Sequence, residues 1–276
     1  MLNGSRYSTF ILRGESNENL RGQYNFDANT PDLLSQCMFM TGEKGRMCWN
    51  EKTFLNPDDV SSENFKLICD LLYGLITEGL ERGGNNRLQK MKDFELRNQD
   101  FCNAFREVKN IIYLYKKLSV RDRRKVNIYY LSIAHTINSY RYKKVSSFVS
   151  VTTDFKTANQ FAQDVIIYGW VPQNIIYRNT LSIFSSIEYV ITDNKSSIKQ
   201  LGLPYCAMPV YPDQKEISLR CGLLPHFIIG FKIDKKFYVN PAIFVTMNKM
   251  EEMNSFRTLC SFRKKHDSWR ITCGSN

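Results

Sequence analysis

The hydrophobic rhythm of the chain changes at Lys144: before it apolar residues recur every three or four positions, and after it they alternate. The exception is the start, where the β-branched and aromatic run Ser8-Thr-Phe-Ile-Leu12 predicts a short strand stopped by Arg13-Gly14. A polar, Asn-rich loop follows. Thr30-Pro31 then opens a short predicted helix, with an N-cap and a first-turn proline, and Gly42 stops it. The spacing of Phe65, Ile68, Leu71, Leu72, Leu75, Ile76 and Leu80 predicts a helix over about 61–82 that ends at Gly83-Gly84. Two more are predicted, over about 98–118 on Phe101, Phe105, Val108, Ile111 and Tyr115, and over about 120–141 on Val126, Tyr129, Tyr130, Ile133 and Ile137.

Beyond Lys144, strands are predicted at 145–152, 165–171, 181–191, 216–219, 227–233 and 237–244. One short helix interrupts them, from the N-cap residue Asp154 through Ala158, Phe161 and Ala162. With no internal repeat, low-complexity stretch or Gly/Ser linker, the pattern predicts a single α+β domain over 1–276. Its parts are a first strand within 1–14, a helical block over 30–144, a sheet-rich core over 145–245 and a basic C-terminal tail over 246–276.

Charge sharpens this division. The formal net charge is +11, and residues 82–144 alone hold 16 Lys or Arg against 5 Asp or Glu, leaving 22 of each sign elsewhere. The surplus therefore lies in the helical block, where it points to an anionic partner. No stretch approaches the roughly 20 apolar residues that cross a bilayer, and the N-terminus lacks a secretory pattern. A cytoplasmic protein without a membrane partner is expected. The 8 cysteines include no C-x-x-C pair and only 3 histidines accompany them, so buried thiols and no metal are expected. His135, on a helical pattern, and His226, at a strand start, read as structural.

Three further features stand in chain order: Arg13-Gly14 at the first strand, the strand Phe148-Val-Ser150-Val-Thr152 leading to a helix that ends in Phe161-Ala162, and Gln214-Lys-Glu216 ahead of Ile-Ser-Leu. Between the second and third runs Val165-Ile-Ile-Tyr-Gly-Trp-Val-Pro172. Together they resemble the Arg-Ser-Glu class of NAD-dependent mono-ADP-ribosyltransferases, in its Gln-x-Glu variant. Val151 departs from that family's Ser-Thr-Ser pattern. The resemblance covers roughly 8–14 and 145–235, and implies a split β-sheet core with an inserted helical block and NAD as co-substrate without a metal.

It also implies roles. Breaking the nicotinamide–ribose bond leaves an oxocarbenium-like ribose, for which a carboxylate, here Glu216, supplies the complementary charge. Arg13 would hold the NAD phosphates, since a guanidinium on a strand is a rigid bidentate donor. Ser150 would orient Arg13 or Glu216 by hydrogen bonding. Gln214, two residues before Glu216 in extended chain, would share its face and touch the acceptor nucleophile. Tyr211 occupies the place of an acceptor-contacting aromatic. Gly14, Thr152, Phe155 and Phe161 complete the NAD-binding set, the two phenylalanines as stacking partners for nicotinamide.

The acceptor is expected to be RNA or DNA, with Arg121, Arg123, Arg124 and Lys125 as its contacts, and a protein target is the alternative. A short lead before the first strand suggests an enzyme acting in the cell that makes it, as a toxin of a toxin–antitoxin or antiphage system. An acidic antitoxin would suit the basic block. In a different class altogether, helices 98–141 would form a non-catalytic nucleic-acid-binding module, with Arg106, Lys109, Lys116 and Lys117 added to the basic set and Tyr113, Tyr115, Tyr129 and Tyr130 interleaved. No P-loop, Rossmann glycine pattern or G-x-S-x-G elbow is present.

Overall fold

The computed structural model describes residues 8–16, 18, 55, 57, 59–82, 84–137, 148–172, 184–186, 195–220, 228–233 and 235–239. The helix expected at 30–42, the outer parts of the strands expected at 181–191 and 237–244, and the tail at 246–276 lie outside them. In chain order the elements are β1 (Ser8–Glu15), α1 (Ser62–Arg82), α2 (Asn85–Arg97), α3 (Gln99–Ala104), α4 (Lys109–Lys116) and α5 (Val120–Ile137). Then come β2 (Phe148–Thr152), α6 (Phe155–Phe161), β3 (Val165–Pro172), β4 (Phe184–Ser186), α7 (Lys195–Gln200), β5 (Glu216–Arg220), β6 (Ile228–Ile233) and β7 (Lys236–Val239). The chain is a mixed α+β protein.

It divides into two compact units, one of Met1–Asn50, Ser147–Phe184 and Leu219–Asn276, the other of Glu51–Ser146 and Ser185–Ser218. The described residues of 185–218, with Gln214 and Glu216, group with the helices, whereas the sequence pattern assigns them to the sheet-rich part of a single domain.

In the first unit β1 is central. It pairs antiparallel with β2 on one side and β3 on the other, and the order continues through β6 to β7, each pairing antiparallel. Ile11 and Leu12 are neighbours in sequence and both buried, as are Val165, Ile166 and Ile167 of β3. Adjacent side chains leave opposite faces of a strand, so both faces of the sheet are covered here. On one of them Leu12 packs with Ala158 of α6 and Ile166. The strand also runs further than its apolar stretch: Arg13 pairs with Ile167, Gly14 with Ile166 and Glu15 with Val165. Arg13 and Glu15 form an ion pair that removes the cost of a charge at this depth.

The second unit is built around α5, in which every residue from Val126 to Ile137 is buried. α1 lies against it and buries Phe65, Ile68, Leu72, Leu75 and Ile76 along one stripe. Phe65 stacks on Tyr115 of α4 at 3.6 Å between ring centres, and Phe105 meets Tyr130 edge-on at 5.1 Å. Tyr115, Tyr129 and Tyr130 are therefore core residues; of the four tyrosines expected to interleave the basic side chains, Tyr113 alone is exposed. The helix expected over 98–118 is two, α3 and α4, separated by a turn at 105–108. α2 and α7 were not expected, and α2 buries Met91 and Phe94 alone among its residues. No helix among the described residues is long and apolar enough to cross a membrane.

Candidate active site

The first unit brings together two of the three motif segments. Arg13 projects from β1, and its Nη1 donates to the main-chain carbonyl of Ser150 on β2 at 2.5 Å, across 137 residues of sequence. Its Nε donates to Glu15 Oε1 at 2.6 Å, and its Nη2 donates to the same oxygen. Glu15 is 5% exposed and Arg13 19%. The guanidinium is thus braced from two sides and keeps two of its five N–H groups for a ligand. Glu15 was not singled out in the sequence; an acidic residue two positions along the strand, hence on the same face, was the available signal. Ser150 meets Arg13 through its main chain, so the side chain at position 150 is not what holds the guanidinium.

Gly14 has a steric reason. A Cβ there would stand 2.2 Å from the Ala158 carbonyl oxygen and 2.4 Å from the Ala162 nitrogen, so the backbone of α6 rests directly on β1. α6 is opened as expected by Asp154, whose carboxylate accepts from the Thr157 nitrogen at 2.8 Å. Thr152 is buried, and its hydroxyl accepts from the Asp154 nitrogen at 3.0 Å, setting the turn between β2 and α6. Phe155 and Phe161 are half exposed, at 49% and 56%. Flat apolar rings in that state can stack on a planar ligand.

The second unit holds the third segment. Glu216 opens β5, and its Oε1 lies 3.4 Å from Nε2 of His135 in the last turn of α5. Both are largely withdrawn from water, at 13% and 4% side-chain exposure. Sequence reading had set His135 aside as structural. Gln214 is a correction of a different kind: it ends a 3-10 turn, Pro212–Gln214, and Lys215 has a left-handed backbone with φ of 43°. The two-residue repeat of extended chain does not apply across that turn, so the argument for a shared face with Glu216 fails. Tyr211 is partly buried, with Lys90 Nζ 4.9 Å above its ring.

The segment leading to this turn is clamped by the helices. Tyr130 donates to the Pro204 carbonyl at 3.0 Å, and the Tyr129 hydroxyl accepts from the Cys206 nitrogen at 2.7 Å. Asn98, between α2 and α3, accepts from the nitrogens of Ala207 and Met208 and donates to the Met208 carbonyl.

The basic residues separate into two groups. Arg123 donates to the carbonyls of Lys116 and Leu118 at the C-terminal end of α4 and to that of Val60, which engages three of its five N–H groups within the fold. Lys125 lies 3.5 Å from Asp122, and Arg124 is partly buried. Arg121, Lys109, Lys116 and Lys117 are exposed. Among the described residues no group of His, Cys, Asp and Glu could hold a metal ion. The chain matches no protein-family model, and no curated protein or solved structure matches it.

Proposed function

We propose that this protein is an NAD-dependent mono-ADP-ribosyltransferase of the Arg-Ser-Glu class, in its Gln-x-Glu variant, with the split-sheet fold of that family. One observation carries the reading: Arg13 and Ser150, distant in sequence, meet on adjacent strands, and the guanidinium there is fixed in orientation while retaining N–H groups for phosphate oxygens. Such a group suits NAD. The partnership with Glu15 lowers the net charge offered to a diphosphate but keeps the donors preorganised, which favours recognition by geometry.

In this reaction the bond from ribose C1′ to the nicotinamide nitrogen breaks, and its electron pair leaves with the ring as neutral nicotinamide. The Glu216 carboxylate stabilises the resulting positive charge on the ribose. An acceptor N–H or O–H then attacks C1′ and loses its proton. Phe155 or Phe161 stacks on the nicotinamide before departure. We infer RNA or DNA as the acceptor class, because Lys109, Lys116, Lys117 and Arg121 are all exposed in the unit that carries Glu216. An enzyme of this kind acting in its own cell would serve as a toxin in a toxin–antitoxin or antiphage system, neutralised by an acidic protein. Incubation with NAD labelled in the ADP-ribose moiety, followed by separation of RNA, DNA and protein, tests the acceptor. Label in nucleic acid that declines with salt supports it; label confined to protein overturns it.

A further inference from the structure

We propose that His135 is a positioning residue for Glu216, holding the carboxylate in the orientation that serves the ribose. The proposal rests on the transferase reading of Glu216. Its basis is the approach of Nε2 to Oε1 at 3.4 Å between two side chains that water barely reaches. A carboxylate in such a place needs polar neighbours to offset its lost hydration, and an imidazole held within ion-pair distance of one oxygen restricts how the group can turn.

The imidazole itself has little freedom. Every residue of α5 from Val126 to Ile137 is buried, so rotation of the helix or withdrawal of the ring would open the core. The same helix carries Tyr129 and Tyr130, which grip Cys206 and Pro204 on the approach to the turn before Glu216. One rigid helix therefore sets both the path of the segment and the direction of its carboxylate. The polar side chains of Ser132, His135 and Thr136 on α5 are kept in the core. Ser132 and Thr136 turn their hydroxyls back to the helix carbonyls of Tyr129 and Ile133, whereas His135 reaches out to β5.

The test compares His135→Leu with His135→Gln, whose amide nitrogen can stand near the place of Nε2. Nicotinamide release should fall between about tenfold and a hundredfold in kcat for His135→Leu, with KM for NAD changed less than about threefold. His135→Gln should recover most of the loss. In a Glu216→Gln background His135→Leu should cost nothing further, because the carboxylate that His135 orients is already gone. Independently of activity, the imidazole proton resonance of His135 in the full chain should shift when Glu216 becomes Gln. An unchanged kcat in His135→Leu while Glu216→Gln is inactive would overturn the proposal, as would an unmoved resonance. Equal further loss in the Glu216→Gln background would also count against it. Should His135→Leu not fold, His135→Gln and the resonance carry the test. A wild-type protein that does not cleave NAD would sink the transferase reading instead, and the resonance would still report on the pair.

Discussion

Asn98 holds Met208 by both ends of its side-chain amide, Nδ2 donating to the Met208 carbonyl at 3.0 Å and Oδ1 accepting from the Met208 nitrogen at 3.1 Å. The pair spans 110 residues and joins the end of α2 to the segment that leads to Glu216. The helical block is therefore the frame for the proposed catalytic glutamate, besides being the basic surface that the charge count suggests.

Asn98 is 4% exposed and also bonds the Ala207 nitrogen and the Phe94 carbonyl. Truncation strands several buried groups at once, so Asn98→Ala should destabilise by about 2–4 kcal/mol in urea unfolding. Asn98→Asp keeps the acceptor but sets a buried carboxylate oxygen against the Phe94 and Met208 carbonyls, so it should not restore stability. A shift under about 0.5 kcal/mol for Asn98→Ala would show that the clamp is not holding the segment.

Arg13 and Glu15 should behave as a unit. Arg13→Ala takes a cation from beside a buried carboxylate and should destabilise more than Glu15→Gln, which keeps a hydrogen-bond acceptor. Arg13→Lys, with a single point of charge, should fold better than Arg13→Ala yet still lose most NAD affinity. Because the Ser150 contact is made by its main chain, Ser150→Ala should weaken NAD binding far less than Arg13→Lys. Calorimetric titration of NAD against the variants checks the order.

Two glycines make opposite predictions for the same substitution. Gly14→Ala drives a methyl into the backbone of α6 and should prevent soluble folding or lower the melting temperature sharply. Gly74 lies on the exposed side of α1, and a Cβ there meets nothing within 4 Å. Gly74→Ala should raise stability by about 0.5–1 kcal/mol through helix propensity. Thermal melts of the two variants beside wild type decide both.

The helical unit should be sensitive to alkali. Burial pushes the thiols of Cys69 and Cys102 from 9.0 up to about 12, with the charges of Asp70 and Glu95 adding respectively and Arg106 opposing at Cys102. Burial likewise raises the Tyr115 hydroxyl from 10.0 to about 12 against the Asn127 hydrogen bond. Tyr129 and Tyr130 are raised by burial too. The native state thus keeps protons that the unfolded chain releases above its own values of 9.0 and 10.0. Stability is fully present below them and is lost as pH rises towards about 12. Urea midpoints should be level at neutral pH and decline steadily from about pH 9; a midpoint unchanged at about pH 11 would contradict this.

Much of this architecture can be read from the chain, because α1 and α5 carry long apolar stripes and the Asp154 cap is local. What escapes is informative. The strand β1 outlasts its apolar run since main-chain pairing with Val165, Ile166 and Ile167 needs no apolar side chain, and the charges at 13 and 15 cancel. α2 buries little beyond Met91 and Phe94, so it leaves a faint stripe. The break at 105–108 is invisible to periodicity because Phe101 and Ile111 on either side of it, and Phe105 within it, are all buried. For the site, Arg13 and Ser150 are picked out by the sequence motif, but they meet through the Ser150 main chain, which the residue type does not encode. Glu15 needed the partner's geometry, and His135 meets Glu216 through a contact between residues 81 positions apart that no local pattern encodes. Gln214 misled because a left-handed Lys215 sits inside what looks like extended sequence.

The central claim is that Glu216 acts on NAD, and release of nicotinamide measures it most directly. Wild-type protein incubated with NAD, with and without nucleic acid, should release nicotinamide, and Glu216→Gln should be slower by about two orders of magnitude or more while melting as wild type does. Equal rates for the two proteins, or no release by the wild type with any acceptor pool, would contradict the account.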